Sequence, residues 1–172
     1  QRFPRRQGAL TRLLADPPLT PAAGKRAQKV MPAMVARTAD KLGKRMKVAL
    51  RAVEGAEETT GAELDAALHG ARRTGKQLRY ATEVVRPVVG KQARSFTRGL
   101  ERLQDELGEH QDAVVARETL RELGAQAGAE NQNGFTFGVL YGEDVAMARQ
   151  AERSVARVWP QVWATKHRRW MG

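Results

Sequence analysis

Residues 68–80 read Leu68-His69-Gly70-Ala71-Arg72-Arg73-Thr74-Gly75-Lys76-Gln77-Leu78-Arg79-Tyr80. On a helix, at about 100° per residue, His69, Arg72, Arg73, Lys76, Arg79, Tyr80 and Glu83 share roughly a third of the circumference. Leu64, Ala67, Ala71, Leu78, Ala81, Val85 and Val88 fall on the other side. One face is apolar enough to bury, and the other presents a column of hydrogen-bond donors. This is the pattern of an amphipathic helix in an all-α protein.

The flanking sequence repeats the theme. Ala, Leu, Arg, Glu, Lys and Gln dominate, and no strand-like alternation is sustained. A short helix is expected from Gly8 to Ala15, ending before Pro17-Pro18. Thr20-Pro21 reads as a helix start, with proline at the first helical position. A long helix follows to about Val53, with Pro32 as a possible kink. After a loop from Glu54 to Thr59, Thr60-Gly61-Ala62-Glu63 reads as a capping box. The next helix runs to about Arg86, where Pro87 ends or kinks it. Another is expected from Lys91 to Leu107, a break at Gly108, and a resumption from Glu109 to Leu123. Gly124 to Gly134 reads as a loop, and Phe135 to Ala164 as a last helix. The expected division is a tail of a preceding bundle over 1–16, a helical bundle over 17–165 and a basic tail over 166–172.

The helix before the motif carries a second row: Arg26, Lys29, Arg37, Lys41, Lys44, Lys47 and Arg51. Between Lys29 and Arg51 only Asp40 carries negative charge. A third, shorter row is Lys91, Arg94, Arg98 and Arg102. Surface helices usually alternate signs at four-residue spacing, because like charges there repel. Rows without acidic partners are relieved when an anion fills them, and phosphate suits both bidentate Arg and point-charge Lys. From spacing alone, solvated faces of a basic protein account for these rows as well as a binding face does.

Composition points the same way. The 172 residues carry 30 Lys plus Arg against 19 Asp plus Glu, a net charge of +11. Residues 1–60 hold 13 basic and 5 acidic residues, and residues 61–104 hold 9 and 4. Residues 105–172 reverse the balance with 8 and 10. A segregated excess suggests a binding face for an anionic partner rather than general solubility. The absence of Cys excludes disulfide scaffolds and thiolate metal sites. No apolar run approaches the roughly 20 residues of a membrane span. No signal peptide is visible, so a cytoplasmic location is expected. The chain opens on Gln1, so an upstream segment removed or not included is expected.

Catalytic signatures are missing. There is no Gly-rich phosphate loop, no nucleophile elbow and no metal-binding His spacing. Asp105, Glu106, Glu109 and Asp112 cluster at Gly108. Helix capping and salt bridges explain them better than Mg²⁺.

Two segments together resemble the CHAD domain, the conserved histidine α-helical domain. The first is His69-x-x-Arg72-Arg73-x-x-Lys76-x-Leu78-Arg79-Tyr80. The second is Leu103-Gln104-Asp105-Glu106-Leu107-Gly108-Glu109-His110-Gln111-Asp112, similar to the family's L-Q-D-x-L-G-x-x-x-D run. The resemblance implies a helical bundle, here like one half of a double four-helix bundle. It implies inorganic polyphosphate as partner, bound without catalysis and without a cofactor or metal, and association with polyphosphate granules. His69, Arg72, Arg73, Lys76 and Arg79 are the candidate ligands, with Arg37, Lys41, Lys44, Arg45, Arg94 and Arg98 in support. Gln77 departs from the family pattern, where a second basic residue is common. Tyr80 is expected to pack at the groove edge, and Gln104, Asp105 and Asp112 to cap the break at Gly108. Only one copy of the histidine-arginine motif is present, so a homodimer or an accompanying N-terminal half is expected. The alternative is a protein that binds nucleic-acid backbone; with nine aromatic residues and only Tyr80 amid the main basic motif, base stacking is disfavoured.

Overall fold

The buried positions of four helices recur at alternating three- and four-residue steps, and this period sets the architecture. The computed structural model describes residues 3–55 and 59–172, with side chains at Gly8 and from Leu10 onward. Its elements are α1 (Phe3–Ala15), α2 (Ala27–Val53), α3 (Gly61–Val89), α4 (Lys91–Ala129), α5 (Phe135–Val162), α6 (Thr165–Arg168) and a 3-10 turn (Arg169–Met171). No strand occurs among the described residues. In α2 the buried stripe is Val35, Ala39, Leu42, Met46 and Ala49. In α3 it runs through Leu68, Ala71, Gly75, Leu78, Thr82 and Val85. In α4 it is Ala93, Phe96, Leu100, Leu103, Leu107 and His110, and in α5 Ala148, Ala151, Val155, Val158 and Val162. A mean step near 3.5 residues keeps the stripe on one face, so neighbouring helices stay in contact along their length.

Contacts run in chain order, α2 on α3, α3 on α4 and α4 on α5, while α6 and the 3-10 turn fold back on α4 and α2. The expected all-α bundle is therefore observed. Thr60 and Glu63 form the capping box that the sequence announces. The Thr60 hydroxyl accepts from the Glu63 N–H, and the Glu63 carboxylate accepts from the Thr60 N–H at 2.8 Å. At the other end α3 passes Pro87 and stops at Gly90, whose φ of 79° turns the chain directly into α4.

Two expectations about helix boundaries fail. Thr20-Pro21 does not start a helix. Residues 20–25 form turns, with Ala23 N–H donating to Thr20 O and Lys25 N–H to Ala22 O, and α2 begins at Ala27. Gly24 interrupts the first turn, where nucleation is already unfavourable. Gly108 does not break α4 either, which continues for 39 residues, about 58 Å, to Ala129. A mid-helix glycine costs only about 1 kcal/mol, and burial of Leu103 and Leu107 beside it outweighs that. The loop read over Gly124 to Gly134 shrinks to residues 130–134. The reading of Gln104, Asp105 and Asp112 as caps at a break falls with the break. Part of the expected Glu54–Thr59 loop, residues 56–58, lies outside the described residues.

The C-terminal residues 165–171 are joined to the core. Met171 is buried and Trp170 meets Phe96 edge-on, with ring centroids 6.4 Å apart. Trp163 stacks on Trp159 at 4.5 Å and lies beneath the Arg168 guanidinium at 4.2 Å. A Cβ added to Gly43 in α2 would stand 2.8 Å from Trp163 Cζ2. The ring is held on two sides and has nowhere to move. Gly43→Ala should therefore destabilise the fold by about 1–2 kcal/mol, the overpacking term exceeding the helix-propensity gain of about 1 kcal/mol. A urea-melt midpoint that rises instead would show that Trp163 is not held there.

Candidate functional site

The basic face of α3 borders two concave strips, one against α2 and one against α4. In the first, Lys41, Lys44, Arg45 and Val48 of α2 face His69, Arg73, Thr74 and Gln77 of α3. No carboxylate lines it. Its wider part is a cavity of about 610 Å³. The floor is fixed by Thr74, a buried residue whose hydroxyl donates to Gly70 O at 3.0 Å. Gly70 seats Arg45, since a Cβ at that glycine would lie 2.6 Å from Arg45 Nη1. Gly70, Thr74 and Gln77 were not among the sequence candidates. A glycine and a threonine inside a basic run carry no charge signal, and their role depends on what the neighbouring helix places above them.

The second strip has mixed charge. Arg72, Lys76, Arg79 and Tyr80 of α3 face Gln104, Asp105, Gly108, Glu109 and Asp112 of α4 across a cavity of about 490 Å³. Arg79 is already engaged. Its Nε donates to Gln104 Oε1 at 3.3 Å, its Nη1 pairs with Glu83, and its guanidinium lies 4.6 Å over the Tyr80 ring. Among the described residues, Asp105, Glu109 and Asp112 make no ion pair within 4.0 Å, and neither do Lys41, Lys44, Arg45, Arg72, Arg73 or Lys76. Arg72 lies over Gly108, where an added Cβ would stand in ordinary contact with its guanidinium at 3.9 Å.

Lys41, Lys44 and Arg45 line the wider hollow of the first strip, Arg45, His69 and Arg73 line a smaller one that shares Arg45, Thr74 and Gln77 with it, and Arg72, Lys76 and Arg79 line the second strip. His69 is oriented by its Nδ1, which donates to Gln111 Oε1 of α4 at 2.5 Å. Arg37 and Arg94 are exposed and line neither groove. Arg98 lies elsewhere, in a hollow with Arg102, Lys166 and His167. The third basic row therefore does not join the first two. Among the described residues no group of three or more His, Asp or Glu side chains is placed to hold a metal ion. Nor is any helix long and apolar enough to cross a membrane.

Beside Gln111 the chain buries His110 at 1% exposure, between α3, α4 and α5. Its Nε2 stands 3.4 Å from Asp65 Oδ1 and 3.5 Å from Glu152 Oε1 without forming a hydrogen bond, while Arg117 Nη2 donates to Asp65 Oδ2 at 3.2 Å. Burial holds His110 below the ordinary histidine value of 6.5; Asp65 pulls it part of the way back, and Arg117 adds to the depression. Burial raises Glu152, assisted by Asp65 and opposed by Arg117, Arg149 and Arg153. A depressed histidine takes its proton more readily in the unfolded chain. Stability should therefore fall as the pH drops below about 6.5, with the raised Glu152 working in the opposite sense. Thermal midpoints measured from pH 7.5 to 5.5 should decline, and His110→Gln should flatten the decline. An equally steep decline in that variant would remove His110 as its source.

Fold and site together define the class: an all-α bundle whose cationic side chains converge on strips between its helices. The model of the CHAD domain family matches residues 1–121, and the chain belongs to that family. The chain is 29% identical over 119 residues to two curated relatives, the uncharacterized protein MT2285 of Mycobacterium tuberculosis strain CDC 1551 / Oshkosh and the uncharacterized protein Rv2226 of strain ATCC 25618 / H37Rv. In each case the match covers 69% of this chain and 22% of the relative, so the chain spans about a fifth of their length. No solved structure matches it significantly.

Proposed function

We propose that this chain is a non-catalytic module that binds inorganic polyphosphate along the α2/α3 groove. The observation that supports the reading is that Lys41, Lys44 and Arg45 line one hollow between α2 and α3, that Arg45, His69 and Arg73 line another that shares three residues with it, and that neither lining contains a carboxylate. Repulsion among like charges at that spacing is relieved by an extended anion, with repeating phosphoryl units offering an acceptor to each donor. The CHAD family's association with polyphosphate supports the same ligand. Arg72, Lys76 and Arg79 extend the contact across the crest of α3, and Arg37 lies one turn before Lys41 on α2. Residence at polyphosphate granules, and pairing with a second copy or an N-terminal half, belong to the same proposal.

Labelled long-chain polyphosphate titrated with the protein tests this directly. Affinity should rise with chain length and fall steeply with salt, because each neutralised phosphate releases counterions. Unlabelled duplex DNA at equal phosphate concentration should compete poorly. DNA displacing the label better than polyphosphate does would favour the nucleic-acid reading instead.

A further inference from the structure

A second cationic hollow lies between α4, the end of α5 and α6, with a volume of about 560 Å³. Arg98 and Arg102, one turn apart on α4, face Lys166 and His167 of α6 across it. No carboxylate lines it, and among the described residues none of Arg98, Arg102, Lys166 and His167 has a carboxylate within 4.0 Å.

The hollow is held in shape. Gly99 of α4 packs against Val162 of α5, which an added Cβ would meet at 3.4 Å. After Val162 the chain turns, and the turn is pinned from both sides. Arg168 Nε donates to Trp163 O at 3.1 Å, and the Trp170 indole N–H donates to His167 O at 2.9 Å. Trp170 and the buried Met171 anchor α6 to the core beside Phe96. Arg102 Nη2 donates to Gln161 Oε1 at 3.1 Å across the mouth. Lys166 and His167 are therefore fixed opposite Arg98 and Arg102 rather than free on a tail. This wall comes from residues beyond the matched stretch 1–121.

We infer that this hollow is a second anion site, for a compound bearing two or three linked phosphoryl groups, separate from the α2/α3 groove. Its size sets the ligand. Its cationic pair on α4, Arg98 and Arg102, spans a single helical turn, which suits a short oligophosphate rather than a polymer that must continue past it. Adjacent guanidiniums can each take a phosphoryl group bidentately, with Lys166 as a point charge opposite. The apolar floor at Val162 and Ala164 leaves space for an attached nucleoside.

Calorimetric titration of the whole chain with inorganic tripolyphosphate and, separately, with a nucleoside triphosphate tests the site. Both should bind. Arg98→Gln with Lys166→Gln, and independently Gln161→Glu, should each weaken binding at least tenfold. Lys41→Gln, Lys44→Gln, Arg45→Gln and Arg73→Gln combined should change it less than threefold. Arg98, Lys166 and Gln161 are exposed, so circular dichroism should show all variants folded. Tighter binding of the nucleoside compound would mean that the floor takes the base or sugar, and equal binding that the phosphates alone are read; either supports the site. Failure of both ligands to bind, or equal loss in the groove variant, overturns it. Long-chain polyphosphate binding, measured in parallel, reports on the α2/α3 groove separately.

Discussion

Replacing Lys41, Lys44, Arg45 and Arg73 together by glutamine is expected to lower affinity for long-chain polyphosphate by at least about 100-fold near physiological salt. A hydrogen bond to a charged group contributes roughly 1.5–3 kcal/mol, so losing even two fully formed contacts reaches that figure. Each phosphate contact removed should also reduce the slope of log affinity against log salt by about one, so the variant's slope should be shallower by roughly three to four. Lys41, Lys44, Arg45 and Arg73 are all exposed, and the fold should survive. A charge-matched control separates site from net charge. Arg121, Arg149, Arg153 and Arg169 are exposed and line neither groove. Their replacement by glutamine should cost less than about tenfold, through long-range attraction alone. Equal losses in the two variants would mean that total charge, and not the α2/α3 groove, holds the polymer.

The largest effect on stability is expected from Phe96→Ala. Phe96 is the largest of the fully buried side chains, at 1% exposure in the stripe of α4, and it supports Trp170 edge-on. Truncating a buried phenylalanine typically costs 3–5 kcal/mol, a large share of a domain's margin of about 5–15 kcal/mol. Because Trp170 and Met171 anchor the last turn, this variant should also loosen residues 165–171 before global unfolding. Urea unfolding followed by tryptophan fluorescence would show both effects. A loss below about 1 kcal/mol would mean that the bundle is not centred on this side chain.

Much of the architecture is legible locally. Thr60 and Glu63 announce the start of α3 because a capping box needs only residues three apart. The amphipathic division of residues 61–89 is readable for the same reason: helical angle follows from residue number. Boundaries set by competition are not legible. Gly108 and Thr20-Pro21 are both plausible local signals. One is overridden by the burial of Leu103 and Leu107, and the other fails because nothing packs against residues 20–26, all of which are exposed. In the candidate site, the donors of α2 and α3 could be named from charge alone. Gly70 and Thr74 could not, since their part is to seat Arg45 and fix the floor.

By itself the sequence determined what depends on neighbours along the chain: helical period, the capping box, the sign and segregation of charge, and the motif centred on Arg72 and Arg73. Tertiary structure alone decided which cations share a groove. Arg72 and Arg73 are adjacent in sequence yet point about 100° apart, so one lines the strip that holds the carboxylates of α4 and the other shares a hollow with Arg45 of α2. Arg98, read in the same row as Arg94, lines a hollow with Lys166, 68 residues further along the chain, because Trp163, Trp170 and Met171 fold the last turn back onto the core. The rotation of each helix about its axis is set by burial of its apolar stripe, and that rotation places every surface charge.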